Sequence, residues 1–180
     1  MLQSIEIRKP LRSEIPKLAE LGSRLFQQTF EGLYSEADLK AFLDMVHSPA
    51  GVAYDWDHGC EFWIAEAAGQ GGAEKNWVGY CKAGPVKVPI EVGLQHALEL
   101  RQIYVDRQYH RRGVGAAFMQ CFLDLCHQRA IEVAYVSCYT ENARALAFYA
   151  HYGFEVVGTY DFEIGHHRDQ DHILCKKLKL

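Results

Sequence analysis

Apolar and polar positions alternate at the start of the chain. Ile5 and Ile7 sit between polar neighbours within Gln3–Arg8, the period of two expected of a strand. The period then lengthens. Leu18, Leu21, Leu25 and Phe26 recur at helical spacing, with Ser13 placed as a cap and Pro16 tolerated in the first turn. Leu39, Phe42, Leu43 and Val46 predict a second helix, opened by Ser35 and Asp38 in the manner of a capping box. Glu61–Ala67 and Trp77–Ala83 read as strands, and Gly69–Gly72 between them as a turn or short loop.

Pro85–Leu94 predicts a loop with some extended character, and Glu99–Val105 the next strand. Gly113–Arg129 predicts a long helix with Val114, Phe118, Cys121, Phe122 and Leu125 on one face. Val133–Tyr139 reads as a strand, and Asn142–Tyr152 as a helix closed by Gly153. Val156–Ile164 and His172–Leu178 predict a closing strand pair. The order is β-α-α-β-β-β-α-β-α-β-β. Hairpins mixed with helical crossovers point to an α/β (α+β) protein with a mixed sheet, not a doubly wound parallel one.

Length and composition narrow the classes. The 180 residues suit a single domain spanning 1–180. Apolar residues at 49% supply a core, and no apolar run approaches the roughly 20 residues that span a bilayer, so no membrane partner is expected. Met1–Pro10 mixes charged and apolar residues and does not read as a secretory signal, so a cytoplasmic location is expected. Six cysteines without a Cys-x-x-Cys pair read as buried reduced thiols. A net charge of −4 argues against a nucleic-acid partner and suits a cationic substrate.

Chemistry concentrates in Leu100–Ala117, where a strand ends in a basic turn and two glycines open a helix. Unpaired amides at such a helix start, the helix dipole, Arg111 and Arg112 together make a phosphate site. Plain packing glycines are the competing reading. No Gly-Lys-Ser/Thr follows, and Phe118 stands where a dinucleotide fingerprint wants its third glycine. The second segment is Val136–Phe154. Taken alone, Asn142 is a helix cap and Tyr149 a packing residue.

Taken together, the two segments resemble the GNAT superfamily of acyl-CoA N-acyltransferases. The family's Gln/Arg-x-x-Gly-x-Gly/Ala reads here His110-Arg111-Arg112-Gly113-Val114-Gly115, with histidine replacing the first residue. Its Asn-x-x-Ala-x-x-Phe-Tyr-x-x-x-Gly-Phe runs from Asn142 through Phe154 without a gap. The resemblance implies a mostly antiparallel, splayed sheet with acetyl-CoA, used as co-substrate, held between the fourth and fifth strands, and no metal. It puts the pyrophosphate on Arg111, Arg112, Gly113, Gly115 and Ala116, in the turn that also holds His110 and Val114. Pantetheine would pair with the backbones of Ile103 and Val105, the Val105 amide would polarise the thioester carbonyl, and Asn142 would reach the arm. Tyr149 would protonate the leaving thiolate.

The acceptor implied is a small-molecule primary amine. Such an amine arrives protonated, with a pKa near 10.4, so a base is needed. Glu99 is the candidate, with Glu91 and Asp106 as rivals. Phe30, Tyr34 and Tyr160 are candidate liners of the amine pocket. Thr29-Phe30, Tyr34 to Leu39 and the tail Gly158 to Phe162 with Gly165 resemble PaiA-type polyamine acetyltransferases, which points to a polyamine. Family habit adds a homodimer as an option. A non-catalytic acyl-CoA-binding module and a peptide or protein N-acetyltransferase stay open. His166, His167, His172 and Cys175 suggest a metal only at first sight. Adjacent histidines in a turn are poorly arranged for shared ligation, and the segment reads as a solvated loop.

Overall fold

The computed structural model describes residues 4–69, 75–90 and 96–178. In chain order these form β1 (Ile5–Arg8), α1 (Ile15–Thr29), α2 (Glu36–Val46), α3 (Pro49–Asp57), β2 (Glu61–Ala67), β3 (Asn76–Gly84), β4 (Ala97–Val105), α4 (Val114–Gln128), β5 (Val133–Tyr139), α5 (Ala143–His151), β6 (Glu155–Ile164) and β7 (His167–Lys177). The mixed α/β architecture is the one expected, with α3 added between the second helix and β2.

Helix α3 escapes the pattern because it spans nine residues and buries only Val52 and Asp55. Its start carried a signal nonetheless. Pro49 opens the helix, and Ser48 caps it by accepting from the Gly51 amide at 3.1 Å. Ser13 is not the cap of α1. Residues Arg12–Glu14 form a separate 3-10 turn, and α1 begins at Ile15. Arg8 takes the Glu14 carboxylate through two hydrogen bonds of 2.7 and 2.8 Å and ties that turn to β1.

The sheet order is β1-β2-β3-β4-β5-β7-β6. Every neighbouring pair is antiparallel except β4 and β5, which run parallel and pair only at Ala97↔Val133, Leu98↔Ala134 and Glu99↔Tyr135. Beyond Glu99 the two strands part. A bulge coincides with the parting: the β3–β4 register steps from Lys82↔Gln102 to Ala83↔Leu100, which leaves Arg101 as the extra residue. A one-residue slip exchanges the faces of a strand. Leu98 and Leu100 therefore pack on the α4 side before the bulge, and Ile103 and Val105 pack there after it.

Two cores flank the sheet. On one side α4 buries Phe118 and Phe122 completely, beside Val136 and Leu174. On the other, α1 buries Leu18, Leu21 and Leu25 against Ile64 and Tyr80. Gly79 of β3 lies where the packing is tightest: a Cβ there would stand 2.9 Å from the Tyr104 carbonyl oxygen and 3.1 Å from the Phe118 ring. Gly79→Ala is therefore expected to destabilise the fold by about 1–3 kcal/mol, as overpacked cores do. Urea denaturation checks this, and an unchanged midpoint would show that the strand yields freely.

Strand β7 begins at His167 and not at His172. Gly165 and His166 alone make the turn, since Ile164 already pairs with His167. The His166 amide donates to Asp38 Oδ1 at 3.2 Å, which fixes the turn to α2. Residues 167–171, expected in a loop, are strand residues.

Candidate active site

The parting of β4 and β5 opens a cavity of about 720 Å³. Ile103, Val105, Asn142 and Tyr149 line it together with Glu99, Phe30, Tyr34 and Tyr160. One space thus collects residues from β4, α5 and β6 and from the segment that joins α1 to α2. Strand backbone left without a partner can accept an extended ligand as an added strand. The Asp106 amide donates to the Val78 carbonyl at 2.8 Å, toward β3. Amides alternate sides along a strand, so the Val105 amide points the other way, into the gap.

After β4, Arg107–Tyr109 makes one 3-10 turn, stabilised by Asp106 accepting from the Gln108 amide at 3.1 Å. His110 is extended, Arg111 has φ +60°, and Gly113 has φ +82° at the N-cap of α4. Left-handed residues in such a turn swing successive amides toward one point, the concavity that binds anions. No side chain caps α4, so its first amides have no side-chain partner there. A Cβ at Gly113 would meet nothing within 4 Å, and one at Gly115 only the Phe148 ring at 3.6 Å. The space before the helix is open, and Arg111 and Arg112 are exposed beside it. Arg112 lies over the Tyr109 ring at 5.0 Å. Val114 is buried in the core, so its side chain does not reach the turn's open side. The turn fits a pyrophosphate.

His110 acts within the protein. Its Nε2 donates to the Val105 carbonyl at 2.8 Å, and its Nδ1 accepts from Arg144 at 2.6 Å. The ring locks the end of β4 to α5, and both lie against a second cavity of about 380 Å³ that also reaches Asn142. Asn142 caps α5 by accepting from the Ala145 amide at 3.1 Å through Oδ1, and the residue lines both cavities. Tyr149 is buried between Phe148 and Phe154, whose ring centroids lie at 5.5 and 6.0 Å. Burial, with the Cys138 thiol adding to it, pushes the phenol well above its ordinary range, so the hydroxyl keeps its proton.

A profile of the acetyltransferase (GNAT) family matches residues 23–154. The chain belongs to that family. An uncharacterised N-acetyltransferase of Mycobacterium tuberculosis is 31% identical over 81 residues, which are 45% of this chain and 52% of that protein. The chain spans about half the length of the curated relatives it matches. The GNAT fold is shared with the PaiA N-acetyltransferase of Thermoplasma acidophilum, solved in complex with coenzyme A, at TM-score 0.71 and 20% identity over 97% of this chain and 99% of that one. A ribosomal-protein-alanine N-acetyltransferase of Brucella melitensis matches at TM-score 0.66 and 21% identity, over 96% and 99%.

The GNAT site contains groups that the sequence reading passed over. On β7, Asp169 and Asp171 are buried and face the cavity, while Arg168 and Gln170 between and before them are exposed. Tyr34 donates to Asp169 Oδ2 at 2.5 Å, and His167 Nε2 lies 2.9 Å from Oδ1. Asp171 stands opposite Tyr160 on β6 and Tyr139 on β5. Burial first, then the charge of Asp169, raises the Asp171 carboxyl to about 6, against the pull of a Ser137 hydrogen bond. Ser137 also bonds Tyr160, whose phenol burial pushes up to about 12. Strict alternation over 168–171 was the available signal for these carboxylates.

The three base candidates fare differently. Glu99 faces the cavity but is 5% exposed, and its Oε2 accepts from the Lys87 and Val88 amides at 2.5 and 3.1 Å. That oxygen anchors the segment after β3, and taking a proton there would break both bonds. Asp106 is held below the ordinary range, since Arg24 at 2.5 Å and the Gln108 amide outweigh the effect of its burial. Its partners tie it to α1 and the turn. Glu91 lies outside the described residues. Among the described residues, no three His, Cys, Asp or Glu side chains gather in a way that could hold a metal, and no helix is long and apolar enough to cross a membrane.

Proposed function

We propose that this GNAT protein transfers an acetyl group from acetyl-CoA to a small primary amine by direct attack. The observation that carries the reading is the convergence on one cavity of three parts: the open end of β4, the buried neutral Tyr149 hydroxyl and the Asp171 carboxyl. The anion-shaped turn lies at the start of α4, just after β4. Tyr104 and Cys138 lie within electrostatic reach of both Tyr149 and Asp171, so the two groups act on one locus.

Acetyl-CoA, when bound, supplies an activated acyl group as a thioester. The turn from Arg111 to Ala116 holds the pyrophosphate through amides, with Arg111 and Arg112 adding charge. Ile103 and Val105 hold the pantetheine arm by backbone pairing, and the Asn142 amide group steadies it. The amine enters as an ammonium ion drawn by Asp169 and Asp171. Asp171 takes its proton, with Ser137 orienting the carboxylate, and the neutral nitrogen attacks the carbonyl carbon. The Val105 amide meets the developing oxyanion. As the carbon–sulfur bond breaks, Tyr149 gives its proton to the sulfur. Asp171 replaces Glu99 as the base because it is the carboxyl whose pKa of about 6 suits proton exchange near neutrality.

A polyamine fits the acidic end of the cavity, and the likeness to the PaiA enzyme supports it. It fits the opposite end poorly, because Lys82, Lys87 and Arg101 line that wall and would repel a second ammonium. The reading carried forward is an amine of small size. Six free cysteines, four of them buried, suit a reducing cytoplasmic setting.

CoA-thiol release from acetyl-CoA, measured against polyamines, amino acids, aminoglycosides and short peptides, tests this. Turnover that depends on a small amine is expected. Tight CoA binding with no turnover would point to a non-catalytic module, and turnover of peptides alone to a protein N-acetyltransferase.

A further inference from the structure

The cavity wall formed by β3, β4 and α3 carries an excess of positive charge. Lys82 donates to Asp55 Oδ2 at 2.8 Å with both side chains buried. Arg101 and Lys87 approach the other oxygen, at 3.4 and 3.5 Å. Charge-assisted hydrogen bonds between such groups normally close to about 2.7–2.9 Å, so only Lys82 is well paired with the carboxylate, while Arg101 is fixed by donating to the Pro85 carbonyl at 2.6 Å. With Glu99 lining the same cavity, three cations stand with two carboxylates, an excess of one positive charge.

The Arg101 side chain is only 9% exposed, and its Nε has no hydrogen-bond partner among the described residues. It is also the extra residue of the β4 bulge, the device that re-aims a side chain toward a site. Burial alone would raise the Asp55 carboxyl, but the Lys82 charge and hydrogen bond outweigh it and hold Asp55 ionised. Burial meanwhile pushes the Lys82 ammonium down, and the Arg101 charge adds to that against the pull of Asp55.

Structural anchoring accounts for one of these cations. The Asp55–Lys82 pair ties α3 to the sheet. Arg101 also ties the Pro85 carbonyl to β4, but neither contact uses its Nε or brings Lys87 to the same carboxylate. Buried charge of one sign is stabilised by a counter-ion, and the lining residues leave room for one.

Resting on the acetyl-transfer reading, we infer that Lys82, Lys87 and Arg101 form an oxyanion subsite at the far end of the acceptor cavity, so that the acceptor is an amine that also carries a carboxylate or phosphoryl group. The two ends of the cavity then select opposite charges. Asp169 and Asp171 on β7 receive the ammonium, and the cations on β3 and β4 receive the anion. Strands β4 and β7 are two places apart in the sheet. Two ladder spacings of about 4.8 Å would give roughly 10 Å, and the parting of β4 and β5 beyond Glu99 widens this, which calls for a linear spacer between amine and anion.

The test compares acceptors of one chain length: an ω-amino carboxylate, an ω-aminoalkyl phosphate, a diamine and an alkyl monoamine. The expected result is a kcat/KM at least tenfold higher for one of the two anionic acceptors than for the diamine, and the better of the two names the anion. Lys87→Glu, at a side chain 62% exposed and safe for the fold, is expected to reverse that ratio. A diamine preferred by the wild type, or a ratio that Lys87→Glu leaves in place, would overturn the subsite. Calorimetry of hexanoate and of butyl phosphate on the CoA-loaded protein separates this idea from the catalytic one. Binding weakened tenfold by Lys87→Glu would support the subsite even if no amine were acetylated. Absence of binding by both probes would remove it even if amines were turned over.

Discussion

Asp171→Asn is expected to lower kcat/KM at pH 7 by about 10²–10⁴-fold, the range general bases supply. The pH dependence is the sharper signature. With Asp171 raised to about 6, the wild-type rate should fall as pH drops through 6 and stay level above it, because the carboxylate relieves the bound ammonium of its proton. The asparagine variant can use only amine that is already neutral. For an amine with pKa near 10.4 that fraction is about 1 in 10³ at pH 7 and grows tenfold per pH unit. Activity of the variant should therefore climb from pH 7 to 9 while the wild type stays flat. Parallel profiles would assign the proton to another group.

The same substitution is expected to stabilise the fold. A carboxyl that rises from 3.8 to about 6 on folding is favoured in its protonated form. Its contribution is complete below about pH 4 and disappears as pH passes 6, a difference of about 3 kcal/mol at 1.36 kcal/mol per tenfold. Asparagine stays neutral at every pH. Asp171→Asn should thus gain about 1–3 kcal/mol at pH 8 and little at pH 4, readable by urea denaturation at the two pH values.

Tyr149→Phe is expected to lower kcat by about 10²-fold or more, with KM for acetyl-CoA nearly unchanged. The ring packs between Phe148 and Phe154, and phenylalanine keeps both contacts. Only the proton donor is lost, so thermal stability should hold. Single-turnover kinetics with thioesters of more acidic thiols offers a second check. A thiolate that leaves without help needs no donor, and the penalty should shrink. A variant with wild-type kcat would leave Tyr149 as a packing residue.

The cofactor half of the site was legible because its residues are contiguous. His110 to Gly115 is a turn whose backbone is shaped for an anion, and Asn142 to Phe154 is one helix with its cap and stop. Local sequence fixes local geometry, so spacing alone points to the Arg111 and Gly113 turn and to Tyr149 on α5. Even there His110 needed the fold: its ring bonds the Val105 carbonyl and Arg144, a contact between the end of β4 and α5 that spacing does not reveal.

The acceptor half was hidden for two physical reasons. Asp169 and Asp171 lie in a polar stretch whose alternation is charged on both faces, so it reads as loop until β5 and β6 flank β7 and bury one face. Asp55 sits on a nine-residue helix with no apolar stripe. By itself the sequence determined the element order apart from α3, the glycine turn before α4 and the family, since each depends on neighbours along the chain. Only the tertiary structure brought Asp55, Lys82, Arg101, Asp169 and Asp171 to one cavity. Their charges come from β3, β4, α3 and β7, distant in sequence, and burial in a shared low-dielectric space is what turns them into a site.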